Sequence, residues 1–244
     1  AVILDKMMDY TEMQENTFTD LKEEDFYTES ILKAVKAGTF VATDDNLARP
    51  TDDMTRQEAV VTLAKALGIT PVEEGKTNFE DDAQIADWAK GYVLGMSQKG
   101  YLNKDFFDKE FRPDEPISRA QVATLLDDSI DDLITEDTIA PEEDNSSDGK
   151  DVIINTPDVK LENSVIDSDL ILAEGIGEGD VELNNVTVKG TLIVRGGGIH
   201  TVKLHNSKVK GLSVEKKSAP VRILTQGSTV ETTDVKTTSI LEGT

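Results

Sequence analysis

Apolar positions recur at helical spacing in four stretches between Tyr27 and Ile130, and the stretches come in two matching pairs. In the first pair, Ile31, Leu32 and Val35 share a face of a helix predicted over Tyr27–Ala37, and Gly38 stops it as a C-cap glycine does. A second helix is predicted from Thr55, carrying Ala59, Val60, Leu63 and Leu67 inward before Gly68. The pattern then restarts. Trp88–Lys99 ends at Gly100, and a helix from Ser118 presents Val122, Leu125, Leu126 and Ile130. Each pair opens on a Phe-x-Asp turn (Phe18-Thr19-Asp20, Phe79-Glu80-Asp81), and each second helix follows an Arg-Pro pair (Arg49-Pro50, Arg112-Pro113). Residues 18–70 and 71–134 are therefore read as two copies of one unit. Ala1–Met8 matches the second helix of the unit, with Leu4 equivalent to Leu63 and Leu126. On that match residues 1–17 are expected to close an earlier, truncated copy, and the chain to be a fragment of a longer protein.

After residue 156 the period changes from 3.6 to 2. Val159-Lys160-Leu161-Glu162-Asn163, Val181-Glu182-Leu183-Asn184-Asn185, Val202-Lys203-Leu204-His205-Asn206 and Val221-Arg222-Ile223-Leu224 start successive units, each a little shorter than the one before. Alternating strands on a period of about twenty residues predict a parallel β-helix over 157–244. Asn163, Asn185 and Asn206 are expected to point inward and bond along the stack, with Gly190, Gly211 and Gly227 at tight corners. A hairpin sandwich competes less well, because Asn-Gly turns are lacking. Residues 135–156, with Pro141-Glu142-Glu143-Asp144-Asn145-Ser146-Ser147-Asp148-Gly149, read as an acidic linker. The expected fold class is multidomain α+β: mainly α-helical repeats, then an all-β right-handed parallel β-helix.

Composition sharpens the division. Residues 159–244 carry 10 Lys/Arg against 11 Asp/Glu, whereas the whole chain has 25 against 48. Nearly all of the net charge of −23 thus lies before residue 159, as does every aromatic residue. Such a field disfavours nucleic acid and anionic membrane surfaces, which need clustered lysine and arginine. No apolar run is long enough for a membrane helix, so insertion into a membrane is not expected. The chain opens Ala1-Val2-Ile3-Leu4-Asp5-Lys6, which is not a secretory signal; export would use a signal that is removed or lies upstream. With no cysteine, disulfides and thiolate metal sites are excluded.

The chemistry with the clearest pattern is an element that occurs twice, Met54-Thr55-Arg56-Gln57-Glu58-Ala59 and Ile117-Ser118-Arg119-Ala120-Gln121-Val122. Thr55-x-x-Glu58 and Ser118-x-x-Gln121 are capping boxes: the hydroxyl accepts from the third helical amide, and the Glu or Gln returns to the cap's own amide. That leaves Arg56 and Arg119, each in the first turn of a helix, where the macrodipole costs a cation about 0.3–1 kcal/mol. Both imply a compensating anion. Asp52, Asp53, Asp114 and Glu115 are internal candidates; an external carboxylate or phosphate at the helix N-terminus serves equally. The residues alone leave both open.

Other candidates are weaker. His200 and His205 fall on opposite faces of a regular strand, and no third imidazole or thiol joins them, so no metal or cofactor is expected. Asp144, Ser146, Asp148 and Gly149 imitate the start of an EF-hand loop, but Val152 and Asn155 stand where its last ligands belong. Gly196-Gly197-Gly198 is a corner rather than a phosphate cradle, since no helix pattern follows it.

Phe-x-Asp, helix, glycine, Arg-Pro and then Thr/Ser-Arg-x-Glu/Gln, in that order in both copies, resembles the S-layer homology domain across residues 1–134. The resemblance implies a pseudo-threefold spindle of repeats that holds secreted proteins non-covalently on the secondary polysaccharide of Gram-positive cell walls. It implies that Arg56 and Arg119 line grooves for an anionic, pyruvylated sugar, with Thr55, Ser118, Glu58 and Gln121 shaping the pocket. The chain departs from the family pattern at Gln57, at Gln121, at Ala42 and Lys104 in place of a second glycine, and at Ala48 where copy two has Phe111. The β-helix is similar to solenoids of clostridial surface proteins. The resulting expectation is a non-catalytic, secreted cell-surface anchor with the β-helix as spacer or adhesive stem. A wall-bound carbohydrate-active enzyme and a self-associating S-layer lattice protein are the alternatives.

Overall fold

The computed structural model describes residues 1–244 apart from 41–45, 103–108, 137–147, 200, 201 and 244. Ala42, Lys104, His200, Asp144, Ser146 and the middle of the expected linker lie outside the described residues. The chain divides into two compact units, one of Ala1–Lys6 with Glu12–Ser129, the other of Met7–Thr11 with Ile130–Thr244.

In the first unit the four predicted helices form where the apolar spacing places them. They are α2 (Thr28–Ala37), α3 (Arg56–Ala66), α4 (Asp87–Gln98) and α5 (Arg119–Ser129), with α1 (Val2–Met8) ahead of them. Gly38 takes φ 81° beyond α2, and its amide reaches the carbonyls of Ala34 and Val35. Ile31 and Leu32 close over Phe18, Leu21 and Ala48 as one small core. Asp5 of α1 accepts the Ser30 hydroxyl at 2.7 Å. α3 is buried almost all round, with Val60, Ala64 and Ala66 fully shielded. The unit is less helical than expected. Residues 12–27, 46–55 and 67–81 are turns and irregular backbone, held by side chains bonding to main chain rather than by helix. Asn16 shows the reason: its Oδ1 accepts the Phe18 amide and its Nδ2 donates to the Leu21 carbonyl, a local arrangement that competes with helix.

The second unit is a β-solenoid. One sheet has the order β1-β2-β5-β7-β9-β11 (Ile130–Ile134, Asp151–Ile154, Leu170–Leu172, Thr187–Val194, Lys208–Val214, Thr229–Val235), and the short β4 (Val165–Ile166) also pairs with β7. The other has the order β3-β6-β8-β10-β12 (Val159–Glu162, Val181–Asn184, Val202–His205, Val221–Gln226, Ser239–Gly243). Every pairing is parallel. The register explains the period, since it stacks like residues into columns. Val159, Val181, Val202, Ile223 and Leu241 form one; Val152, Leu170, Leu192 and Leu212 form another. Apart from Leu241, which is exposed, their buried side chains make the single core between the sheets.

Several expectations are corrected by these pairings. The solenoid begins before residue 157. Ile130, expected on the face of a helix, opens β1, and Asp151–Ile154 is a fully buried strand rather than linker, because its Val-Ile-Ile run fills the same columns. Val202 pairs with Ile223 and not Val221, so that coil is as long as the one before it rather than shorter. Asn163, Asn185 and Asn206 are not inward. They occupy the left-handed corner, with φ 52°, 57° and 49°, a conformation asparagine tolerates. They do bond along the stack, Asn185 Nδ2 to Asn163 Oδ1 at 2.8 Å. Gly227 continues the row at φ 60°. The inward polar row is serine: Ser207 accepts the Val186 amide, Ser228 the Ser207 amide, and each hydroxyl donates to a carbonyl of the preceding coil. Gly190 and Gly211 lie within β7 and β9, not at corners.

A Cβ on Gly190 would sit 2.2 Å from Asp169 Oδ1 and 2.4 Å from the Ser168 carbonyl oxygen. Gly190→Ala should therefore destabilise the solenoid by roughly 1–3 kcal/mol, read as a lower urea midpoint in the strand circular dichroism; an unmoved midpoint contradicts this packing. Glu174 offers a second test, because its Oε2 is buried without a hydrogen bond among the described residues. Burial raises its pKa against the opposing pull of Arg195 and Lys217, with Glu215 adding to the rise. The folded state then holds this proton more tightly than the unfolded state. Stability is highest below the unfolded value of about 4.3 and declines as pH rises through the raised folded one. Glu174→Gln should flatten that decline and raise Tm at pH 7; a Tm at pH 7 equal to or below the parent's would contradict the assignment.

Candidate functional site

The aspartate of each Phe-x-Asp turn organises its copy. Asp20 accepts the Ala48 amide at 2.8 Å on Oδ1 and the Arg49 amide at 2.7 Å on Oδ2. Asp81 repeats the arrangement with Phe111 and Arg112, both at 2.7 Å. These charge-assisted pairs fasten the Arg-Pro turn in a conformation few residues adopt: Arg49 and Arg112 have φ 48° and 53°, left-handed and directly before proline. In copy two the Phe79-Glu80-Asp81 turn is braced by the adjacent Asp82, which accepts the Thr77 amide and hydroxyl at 2.8 Å and meets Lys90 at 3.0 Å. Burial alone would raise the pKa of Asp82, but the Thr77 amide and Lys90 outweigh it and hold the carboxyl below its usual range. The sequence carries a signal for the clamp, an aspartate recurring 29 and 31 residues ahead of the arginine it holds.

The turn of copy two is aimed at the arginine element of copy one. The Arg56 amide donates to the Glu115 carbonyl at 2.9 Å, the Gln57 amide to the Pro113 carbonyl at 3.1 Å, and the Ile117 amide to the Met54 carbonyl at 2.8 Å. Thr55 forms an antiparallel bridge with Pro116. Side chains complete the joint. Arg56, 6% exposed, donates from Nη1 to the Phe111 carbonyl at 3.0 Å and approaches Glu115 Oε2 to 3.4 Å. Gln57 donates to Asp114 at 2.6 Å and accepts the Ala86 amide at 3.1 Å. Thr55 and Glu58 make the full capping box. Of the internal anions, Glu115 compensates Arg56, and the family departure at Gln57 is a bridge between copies.

Copy two's own element is built the same way and left open. Ser118 and Gln121 form the box, Ser118 amide to Gln121 Oε1 at 2.8 Å and Gln121 amide to Ser118 Oγ at 3.2 Å. No Arg-Pro turn covers it among the described residues. Arg119 and Ala120 are exposed, and of α5 only Leu125 and Ser129 are buried. The structure thus separates the six singled-out residues into Thr55, Arg56 and Glu58 at a joint and Ser118, Arg119 and Gln121 at a surface.

Comparison with known proteins decides what this pair of copies is. The family model of the S-layer homology domain matches residues 17–60 and 78–123. The two copies are S-layer homology domains. The clamp, the turn and the arginine element all fall inside the matched segments. Relatives align over about half of the chain: an amylopullulanase of Thermoanaerobacterium thermosulfurigenes, 32% identical over 130 residues, and an exoglucanase XynX of Acetivibrio thermocellus, 32% over 130 residues. Each alignment covers 52% of this chain but only 7% and 12% of the relative. A cellulosome-anchoring protein of Acetivibrio thermocellus is 30% identical over 118 residues, 47% of this chain and 26% of that protein. No solved structure matches. S-layer homology domains are non-catalytic modules for attachment to the cell wall.

If the clamp aims the turn, Asp81→Ala should destabilise the S-layer homology unit by about 2–4 kcal/mol, since two charge-assisted bonds are lost from a buried site. Trp88 is the only tryptophan, so its emission reports unfolding of this unit alone. A urea midpoint equal to the parent's would remove the clamp from the account.

Proposed function

We propose that the chain is a non-catalytic cell-surface anchor whose S-layer homology domains bind an anionic, pyruvylated secondary polysaccharide of the cell wall. The β-solenoid, wound right-handed as parallel crossovers almost always are, serves as a spacer or adhesive stem. One observation carries the reading: of two equivalent arginine elements, one is consumed in the joint between copies and the other stands exposed on the surface. Arg119, flanked by Ser118 and Gln121 at the start of α5, is the cation that meets the polymer. A guanidinium beside free helical amides suits a carboxylate, and a local cation is what an acidic protein needs to hold an acidic glycan. Arg56, Thr55 and Glu58 act indirectly, by fixing the neighbouring copy. The cellulosome-anchoring relative is consistent with attachment. The names of the enzyme relatives describe proteins of which this chain matches 7% and 12%.

The test is co-sedimentation of the full chain with purified wall polysaccharide, native and with pyruvate removed. The parent should pellet with the native polymer and less with the stripped one. Arg119→Ala should weaken binding to the native polymer about tenfold or more, as loss of a charge-assisted bond implies, without changing Tm. Arg56→Ala should lower Tm instead. Equal pelleting of Arg119→Ala and parent would show that the exposed element is not the contact.

A further inference from the structure

Gly38 and Gly100 end the first helix of each copy in the same left-handed conformation, φ 81° and 82°, and give a register between the copies. Twelve positions before each glycine stands an aromatic residue, Phe26 and Trp88, preceded in both copies by an aspartate, Asp25 and Asp87. Both aromatics point outward: Phe26 is 85% exposed and Trp88 50%. The other aromatics described in this unit are buried or partly so, including Phe18, Phe79, Tyr101 and Phe111. The residues that follow turn inward, Tyr27 to half-burial and Ala89 to complete burial. A single exposed ring on a surface needs no explanation. Two at equivalent positions of two diverged copies, each beside an acid, do need one.

We propose that Asp25-Phe26 and Asp87-Trp88 are paired stacking platforms for uncharged pyranose rings of the wall polysaccharide. A pyranose has an apolar C–H face that lies on an aromatic ring and a rim of hydroxyls that donate to carboxylates, so an aromatic next to an acid meets both. In copy one the platform is braced. The Tyr27 ring meets Phe26 edge-on, with centroids 5.1 Å apart, and the Tyr27 hydroxyl donates to Asp25 Oδ2 at 3.1 Å. This holds the carboxylate beside the ring. Stacking on neutral sugar is indifferent to the protein's charge. It therefore supplies affinity where the acidic surface repels the anionic units of the same polymer. The inference rests on the anchoring reading but uses different residues and a different chemistry from Arg119.

Titration of the full chain with purified wall polysaccharide, followed by Trp88 emission and by pelleting, tests it. Saturable blue-shifted emission and reduced acrylamide quenching are expected. Phe26→Ala with Trp88→Ala should lower affinity at least tenfold at unchanged circular dichroism, while Trp88→Phe keeps most of the binding. The salt dependence of binding should be unaltered in the double variant and reduced in Arg119→Ala. Parent-like pelleting of the double variant, with Trp88 emission unmoved by saturating polymer, would overturn the platforms and leave the anchor standing. Failure of the parent to bind the polymer at all would remove both.

Discussion

The S-layer homology unit depends on a carboxylate receiving two adjacent backbone amides. Asp81 does this for Phe111 and Arg112, and Asp20 for Ala48 and Arg49. Without it the turn that sets an arginine in the left-handed region ahead of a proline loses two charge-assisted bonds. With it, the chain leaves the turn in a fixed direction, and the carbonyls of Pro113 and Glu115 arrive at the first turn of α3. A helix start has amides without intrahelical partners, and here the neighbouring copy provides the acceptors. The clamp thus sets the turn, the turn sets the joint, and the joint decides which arginine remains on the surface.

The solenoid answers to a different constraint, the register of parallel coils. Once Val181 lies over Val159, every inward position of a coil must match the one below it, and a polar position inside must bond along the stack. Ser207 and Ser228 meet that demand by linking an amide and a carbonyl of neighbouring coils. Toward β11 and β12 two of the columns turn polar, with Thr225 following Leu204 and Thr233 following Leu212.

Periodicity makes most of this legible. The four helices lie within a residue or two of where apolar spacing, glycine caps and capping boxes place them, because those signals act over one or two turns. The coils are legible for the same reason, since a repeated Val-x-Leu shows a strand whatever it pairs with. Features settled by distant partners are not. Arg56 has candidate anions in its own segment, Asp52 and Asp53, yet its fate is decided by Phe111, 55 residues away, and by Glu115. The serine row hides behind the asparagines because strict alternation fails at a left-handed corner, where one residue turns the chain and shifts the inward position to the next. Ile130 reads as helical because helix and strand patterns overlap for a short apolar run; only its pairing with β2 tells them apart.

The joint between copies is heterologous, with the helix start of one held by the turn of the next. In a row built this way, an added repeat brings one more joint and occupies one more arginine, so the number of open elements does not grow with the number of repeats. The exposed aromatic position, just ahead of α2 in copy one and in the first turn of α4 in copy two, is not drawn into the joint, and its number grows by one per repeat. On the proposed reading, duplication in such a row would raise avidity through the aromatic surface, with the open arginine as a single fixed point of contact.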